Sequence, residues 1–245
     1  MSNVVNYTLQ DGIATLRMDD GKANVMGLPM QAAINAALDR ALADQAVVVL
    51  TGRSGMFSGG FDLNVFKTDP AASVQMLEGG ARLALRLLAH PHPVLAACNG
   101  HAVAMGCFLL LGADLRIGVD TSQVAVGVAP SLSIRAIEVQ IGMTLPRFAL
   151  NLCRYRLTPA HFSLACTTAY PYQPQTALAA GFLDELASPE TFAAAVQARA
   201  VYLSKLHQEA FTATKAKLKK AQIEELEADI QADVAMWSGR RETQG

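Results

Sequence analysis

Three short apolar runs, at residues 47–50, 94–98 and 115–119, constrain the fold of this chain more than any other feature. Each is four or five residues long and ends at a turn residue, which is typical of strands buried on both faces of a parallel sheet. Residues 30–43, before the first run, and residues 73–89, between the first and the second, carry apolar side chains at helical spacing. This alternation predicts an α/β fold around a parallel sheet.

The flanking segments extend that prediction. Residues 4–9 and 13–18 are predicted to form a strand hairpin closed by Asp11-Gly12. The Gly- and Ser-rich stretch 51–64 is predicted to be a loop. Segment 120–137 combines a strand-like stretch, 123–128, with a loop. Beyond it, the pattern predicts helices over 145–152, 159–165, 175–180, 189–206 and 208–237.

Charged residues in two places are expected at the surface. The last helix carries four lysines followed by three glutamates, a pattern typical of a solvent-exposed face with i,i+4 pairs. These are Lys215, Lys217, Lys219, Lys220, Glu224, Glu225 and Glu227. His90 and His92 flank prolines at the end of the 73–89 helix and are also expected at the surface.

Composition excludes several classes of protein. The chain has 245 residues, of which 51% are hydrophobic, so it can bury a large core and is not a disordered tail. A net charge of -1 argues against a nucleic-acid binder. The longest apolar run, 102–111, is about half the length that spans a bilayer. The start lacks signal-peptide features, and the four cysteines form no CxxC pair or metal-ligand spacing, so we expect a cytoplasmic protein with buried thiols and no metal.

Two Gly-containing segments, 56–63 (MFSGGFDL) and 99–107 (NGHAVAMGC), each follow a predicted strand. Glycines after a strand let backbone N–H groups point outward, and a helix that begins there adds unsatisfied N–H groups. Two such donors that converge on one point form an oxyanion hole, which stabilises charge developing on a carbonyl oxygen. Thioester chemistry through an enolate needs this device.

Together with 138–146 (EVQIGMTLP), these segments resemble the crotonase, or enoyl-CoA hydratase/isomerase, superfamily. The first is similar to F-S-A-G-x-D-L, the second to G-x-A-x-G-G-G-x-x-L-x-x-x-x-D-x-R, and the third to E-V-x-I-G-x-x-x-P. In the second, the matching residues are Gly100, Ala102, Gly106, Leu109, Asp114 and Arg116. The segment 21–24 (GKAN) resembles the coenzyme A entrance. The resemblance covers roughly residues 4–237.

The resemblance implies a crotonase-like fold of repeated ββα units with a helical C-terminal region that builds trimers. We therefore expect a core over 1–190 and an oligomerisation region over 191–245, assembled as a homotrimer or a dimer of trimers. It implies an acyl-CoA thioester as substrate, with coenzyme A present only as part of that substrate and no permanently bound cofactor. No nucleic acid or membrane partner is expected.

The resemblance also assigns site residues. The oxyanion donors map onto the backbone N–H groups of Phe61 and Met105. The positions expected to contact coenzyme A or substrate are Lys22, Ala23, Ser58, Gly59, Gly60, Asp62, Leu63, Gly106 and Phe108. Lys22 is expected near a phosphate, whereas Asp62 has the alternative of capping the next turn.

The chain departs from the family at its acid–base residues. A hydratase of this family uses two glutamates around one water, and Phe108 stands where the first is expected. Strict spacing places the second at Val128, whereas the local motif selects Glu138 and requires extra residues between Asp120 and Ala136. We prefer Glu138, whose pKa an apolar pocket would raise. One carboxylate suits a Δ3,Δ2-enoyl-CoA isomerase, so isomerase is favoured over hydratase.

Other functions stay open. A catalytically degenerate acyl-CoA-binding or scaffold member would keep the fold without turnover. A CoA-thioester hydrolase, decarboxylase or dehalogenase would use the same hole with other side chains. His101 lies beside the second motif and is a further candidate. Ser58 lacks a GxSxG context, and no GxGxxG opens a helix, which argues against a serine hydrolase and a dinucleotide site.

Overall fold

The computed structural model describes residues 4–124 and 131–239. Its strands are β1 (Val5–Gln10), β2 (Ile13–Met18), β3 (Val47–Thr51), β4 (Gly55–Ser58), β5 (Val94–Cys98), β6 (Gly100–Val103), β7 (Leu115–Val119), β8 (Ile134–Arg135) and β9 (Glu185–Ala187). Its helices are α1 (Leu28–Ala43), α2 (Leu63–Thr68), α3 (Pro70–Ala89), α4 (Met105–Gly112), α5 (Arg147–Arg156), α6 (Pro159–Thr168), α7 (Pro174–Ala180), α8 (Phe192–Ser204) and α9 (Gln208–Gly239). A 3₁₀ turn spans Glu138–Ile141.

The larger sheet has the order β1-β2-β3-β5-β7-β9. β1 and β2 form an antiparallel hairpin, and Asp11 and Gly12 both adopt positive φ, as the tight turn requires. The remaining neighbours pair in parallel. The predicted hairpin and the three buried parallel strands are therefore confirmed.

The smaller sheet has the order β4-β6-β8, and both of its pairings are parallel. The prediction of a loop over 51–64 was wrong, because β4 and the start of α2 lie within it. These strands have two to four residues, too few for a periodic pattern, and non-local pairing stabilises them. In each repeat a strand of the larger sheet is followed by one of the smaller sheet, as in β3-β4, β5-β6 and β7-β8. This arrangement confirms the predicted ββα architecture.

The helical C-terminal part packs onto this core. α8 lies against β2, β3 and β7 of the larger sheet, while α9 runs along α3 and α5. Asp233 of α9 is fully buried, and its carboxylate accepts hydrogen bonds from the backbone N–H groups of Arg147 (3.0 Å) and Phe148 (3.1 Å). A carboxylate there satisfies free donors at the start of α5 and ties α9 to the core.

The surface prediction for α9 was wrong at two of its seven charged residues, and that for His90 and His92 was wrong at both. Lys215 and Lys219 are 6% and 5% exposed, because the first half of α9 turns this face of the helix toward the core. His90 and His92 are buried at the junction of α3 and β5. The four cysteines are buried free thiols, as expected.

Part of the predicted strand 123–128 lies outside the described residues, as does Val128. Among the helices of the described part of the chain, none is long and apolar enough to cross a membrane.

Candidate active site

The three sequence segments that suggested chemistry meet at one edge of the smaller sheet. Gly59, Gly60 and Phe61 follow β4, Ala104 and Met105 follow β6, and Glu138 lies shortly after β8. Because the strands are parallel, their carboxyl ends share an edge, where the loops of α/β proteins typically build binding sites. The smaller sheet, which the sequence did not reveal, is what brings these segments together.

Gly60 brings the first segment against the start of α4. Its φ is +88°, and a Cβ atom placed there would lie 2.8 Å from the Cβ of Ala104 and 3.4 Å from the backbone nitrogen of Met105. The Gly60 carbonyl accepts a hydrogen bond of 2.7 Å from the backbone N–H of Met26, which anchors the loop. The position therefore needs glycine both for its backbone conformation and for this close approach.

The backbone N–H groups of Phe61 and Met105 are free donors at this contact. Within residues 4–124 and 131–239, neither N–H has a hydrogen-bond acceptor. Met105 is the first residue of α4, where N–H groups have no partner inside the helix and the helix dipole is positive. Both side chains lie over Gly80 of α3, where an added Cβ would be 2.5 Å from the Phe61 ring and 3.3 Å from the Met105 sulfur.

Ala104, which precedes Met105, has a backbone conformation that glycine normally adopts. Its φ is 49° and its ψ is -123°. Its N–H donates to the Arg135 carbonyl at 2.8 Å, which ties the end of β6 to β8. Non-glycine residues in such regions cost about 1–3 kcal/mol and occur preferentially at functional sites.

An apolar cavity of about 50 Å³ opens at this edge. Its lining residues are Gly59, Phe61, Leu63, Phe66, Leu77, Ala104, Phe108, Ile137, Glu138, Ile141, Met143, Pro146 and Phe148. Glu138 is the one residue of this lining that titrates. A neighbouring pocket of about 360 Å³, which reaches Trp237 of α9, shares four of the lining residues, namely Phe66, Leu77, Met143 and Pro146.

The Glu138 carboxyl group is buried with one of its two oxygen atoms unpartnered among the described residues. The residue is 6% exposed, and its Oε2 atom has no hydrogen-bond partner in the described part of the chain. Burial raises the pKa of Glu138 to about 7. A carboxylate in an apolar site costs stability unless it is paired, so such a group in a cavity marks a candidate for proton transfer.

Phe108 lines the same cavity from α4. It is 1% exposed, and its ring packs edge-to-face against Phe148 with centroids 5.9 Å apart. Phe108, which stands where the family resemblance places the first of the two glutamates, is therefore part of the apolar lining of the cavity.

Several predicted binding residues position the loop between β4 and α2. The Ser58 hydroxyl is buried, donates to the Asn24 carbonyl at 2.7 Å and accepts from the Gly60 N–H at 3.2 Å. Asp62 caps α2 through a 2.9 Å bond from the Asn64 N–H, which confirms the capping alternative. A Cβ at Gly106 would lie 2.8 Å from the Ser58 Cβ, so α4 and the loop approach closely here.

The remaining candidates lie outside the cavity lining. The Gly59 N–H donates to the Ala23 carbonyl at 2.7 Å, so the 20–25 loop borders the site, and Lys22 is exposed on that loop. His101 Nε2 lies 2.9 Å from the Ser131 hydroxyl and does not line the cavity. Among the described residues, no group of three or more His, Cys, Asp or Glu side chains could hold a metal ion.

Asn24 is a positioning residue that sequence reasoning missed. It is fully buried with a φ of 50°, and its amide donates to the carbonyls of Met18 (3.1 Å) and Phe57 (3.2 Å). The GKAN segment contained the signal, because asparagine tolerates left-handed backbone better than most residues.

Comparison with known proteins decides the family. The model of the enoyl-CoA hydratase/isomerase family matches residues 8–244. The chain belongs to the enoyl-CoA hydratase/isomerase family. This confirms the resemblance found in the sequence, and the strand arrangement described above is the fold of its solved members.

Solved structures of the enoyl-CoA hydratase/isomerase family support this assignment over nearly the whole chain. A probable enoyl-CoA hydratase from Mycobacterium tuberculosis is 39% identical, with a TM-score of 0.90 over 98% of this chain and 99% of the other. A second structure of the same M. tuberculosis protein, named as an enoyl-CoA isomerase, is 41% identical to this chain, with a TM-score of 0.88 over 96% of this chain and 99% of the other. The two names differ in the reaction they give.

A more distant sequence relative is a probable enoyl-CoA hydratase from Rhodobacter capsulatus. It is 32% identical over 126 residues, a match that spans 49% of this chain and 48% of the relative, about half the length of each. Because relatives in this family bear both names, the reaction has to be argued from the side chains at the site.

Proposed function

We propose that this protein is a Δ3,Δ2-enoyl-CoA isomerase that uses one carboxylate, Glu138, beside an oxyanion hole formed by the backbone N–H groups of Phe61 and Met105. The observation that carries the proposal is the buried Glu138 carboxyl group, whose Oε2 atom has no partner among the described residues, in an apolar cavity lined by Phe61 and by Ala104, which precedes Met105. A pKa of about 7 suits a group that must first accept a proton and then return it.

The proposed reaction moves one proton between two carbons of a 3-enoyl thioester. The Glu138 carboxylate removes a proton from C2, and the electron pair delocalises through the C3–C4 double bond and onto the thioester oxygen. The two N–H groups stabilise the negative charge on that oxygen. The protonated Glu138 then delivers its proton to C4, and the double bond ends between C2 and C3.

The apolar lining of the cavity also disfavours hydration of the substrate. Adding water across the C2–C3 bond needs one group to activate water and a route for the second proton. Phe108 supplies an apolar ring where a second carboxylate would stand, and the other residues of the lining do not titrate. The burial of Glu138 favours turnover over a binding-only role, because a buried carboxyl group without a task only costs stability.

The coenzyme A portion is proposed to enter beside Gly59 and the 20–25 loop, with Lys22 toward a phosphate. It is the only cofactor in this proposal, and it arrives as part of the substrate. We further propose a homotrimer, or a dimer of trimers, built through residues 191–245. Sedimentation velocity of the purified protein measures this assembly state.

The test is to supply 3-enoyl-CoA and 2-enoyl-CoA thioesters separately, following conjugated-enoyl absorbance and product mass. We expect the 3-enoyl substrate to become a 2-enoyl product of the same mass. We expect at most a trace of the product that is one water heavier. Rapid hydration of the 2-enoyl substrate, or binding of both thioesters without turnover, would contradict the proposal.

A further inference from the structure

A group of cations lies beneath the first half of α9, away from the candidate active site. Lys215 and Lys219 of α9 are buried, and Arg156 at the end of α5 lines the same cleft. α9 runs antiparallel to α3, since Thr212 bonds to Pro91 and Arg82 pairs with Glu227.

Lys215 forms an ion pair, whereas Lys219 and Arg156 form none with the described residues. The Lys215 ammonium pairs with Asp114 at 2.6 Å. The Lys219 ammonium donates to the Tyr155 hydroxyl at 2.8 Å and lies 4.4 Å from the centre of its ring. Arg156 donates to the carbonyl oxygens of Leu111 and Ala113 at the end of α4. In the described ranges, no carboxylate oxygen lies within 4.0 Å of the side-chain nitrogens of Lys219 or Arg156.

These cations border open space. A cleft of about 450 Å³ is lined by Asp114, Arg156, Leu206, His207, Ala210, Phe211, Thr214, Lys215, Leu218 and Lys219. A second pocket of about 260 Å³ shares Lys215 and Lys219 and adds Lys220 and His90. His90 is 3% exposed, and its Nε2 atom has no partner among the described residues. One side of the cleft therefore carries three cations and the Asp114 carboxylate, and Leu206, Phe211 and Leu218 make the other side apolar.

Burying Lys219 and Arg156 without an ion pair lowers the stability of the fold. Burial, together with the charges of Arg156 and Arg116, lowers the pKa of Lys219 to about 8. A buried cation without a counter-ion loses solvation that a tyrosine hydroxyl replaces only in part. An oxyanion beside Lys219 and Arg156 would supply the missing charge through charge-assisted hydrogen bonds.

We propose that this cleft binds a small organic anion. Its phosphate or carboxylate group would lie between Lys219, Arg156 and Lys215, and its apolar part against Leu206, Phe211 and Leu218. The site is separate from the acyl-CoA cavity, because the two share no lining residue. It is therefore independent of the proposed isomerase activity.

Calorimetric titration of the whole protein with phenyl phosphate and with inorganic phosphate, at constant ionic strength, tests the proposal. We expect both to bind, with phenyl phosphate the tighter because its ring reaches the apolar wall. Lys219→Gln should weaken binding at least tenfold. Lys217→Gln is the matched control, since Lys217 is exposed on the same helix, carries the same charge and lines neither pocket.

Three outcomes would overturn the proposal. The first is no binding of either phosphate. The second is equal weakening by Lys217→Gln and Lys219→Gln, which would indicate a diffuse charge effect. The third is dissociation of an oligomer by Lys219→Gln without phosphate binding to the wild type, which would show that a carboxylate of a second copy fills the cleft.

Discussion

Phe108 and Glu138 line the same apolar cavity, one as a fully buried ring and the other as a buried carboxyl group whose Oε2 atom has no hydrogen-bond partner among the described residues. The first stands where the family pattern led us to expect a carboxylate, and the second is the only titrating group of the lining. This pairing limits the site to one proton carrier. It is the structural basis for preferring isomerisation to hydration.

The first prediction concerns the pH dependence of the wild-type reaction. The carboxylate form of Glu138 must be present to accept the C2 proton, and its pKa is raised to about 7. We therefore expect kcat/KM for 3-enoyl-CoA to rise with pH and to level off above about pH 7. Initial rates between pH 5 and 9 measure this. A profile that is flat through this range would exclude Glu138 as the titrating base.

The second prediction concerns stability. Glu138 has a folded-state pKa of about 7 against an ordinary value of 4.5. The folded state therefore holds its proton more tightly, and this group makes folding less favourable as pH rises from 4.5 to 7. The difference corresponds to a penalty of about 3 kcal/mol above pH 7. Glu138→Gln should raise the melting temperature at pH 8 and have a smaller effect at pH 5. Equal effects at both pH values would contradict the raised pKa.

The third prediction concerns the wall of the cavity. Phe108→Ala should destabilise the fold by about 3–5 kcal/mol and admit water beside Glu138. Hydration favours the carboxylate, so the rising limb of the pH–rate profile should move to lower pH. Phe182→Ala is the matched control, because Phe182 is fully buried but does not line the cavity. If the rising part of the pH–rate profile stays at the wild-type pH in both variants, Phe108 does not set the pKa of Glu138.

The fourth prediction concerns the proposed oxyanion hole. Gly60→Ala would push a methyl group against Ala104 and toward the Met105 nitrogen, and loss of one donor typically lowers kcat by about 10²–10³-fold. Gly12→Ala is the control, since Gly12 also has positive φ but an added Cβ meets nothing within 4 Å. Both variants bear the cost of alanine at positive φ, Gly60→Ala adds a steric clash, and only Gly60→Ala should lose turnover. Full activity of a folded Gly60→Ala variant would argue against the assigned donors.

Three strands of the larger sheet, β3, β5 and β7, could be predicted because each is a compact apolar run, whereas β9 has only three residues and was not predicted. β5 (Val94–Cys98) and β7 (Leu115–Val119) have the predicted limits. β4 and β6 could not be predicted, since each is four residues long and exists only through pairing with its neighbours. The sequence identified the two glycine-containing segments that follow β4 and β6, but the sheet edge that brings them together could not be predicted without the smaller sheet.

Glu138 also combines a feature that the local sequence predicts with one that depends on tertiary structure. Its motif identified it, whereas its burial depends on β8 and the turn after it, which carry no periodic signal. Lys215 and Lys219 show the opposite error, because the charge pattern indicated solvent exposure and packing against Asp114 and Tyr155 decided otherwise. Tertiary contacts of this kind are absent from any local pattern.

The most direct test of the central claim is the rate of 3-enoyl-CoA isomerisation by Glu138→Gln at saturating substrate. The variant keeps the size of the side chain and removes its ability to carry a proton. We predict a loss of about 10³-fold in kcat, with the thioester still bound at nearly wild-type affinity. A rate within about tenfold of the wild type, from a folded protein, would show that another group moves the proton and would contradict the account.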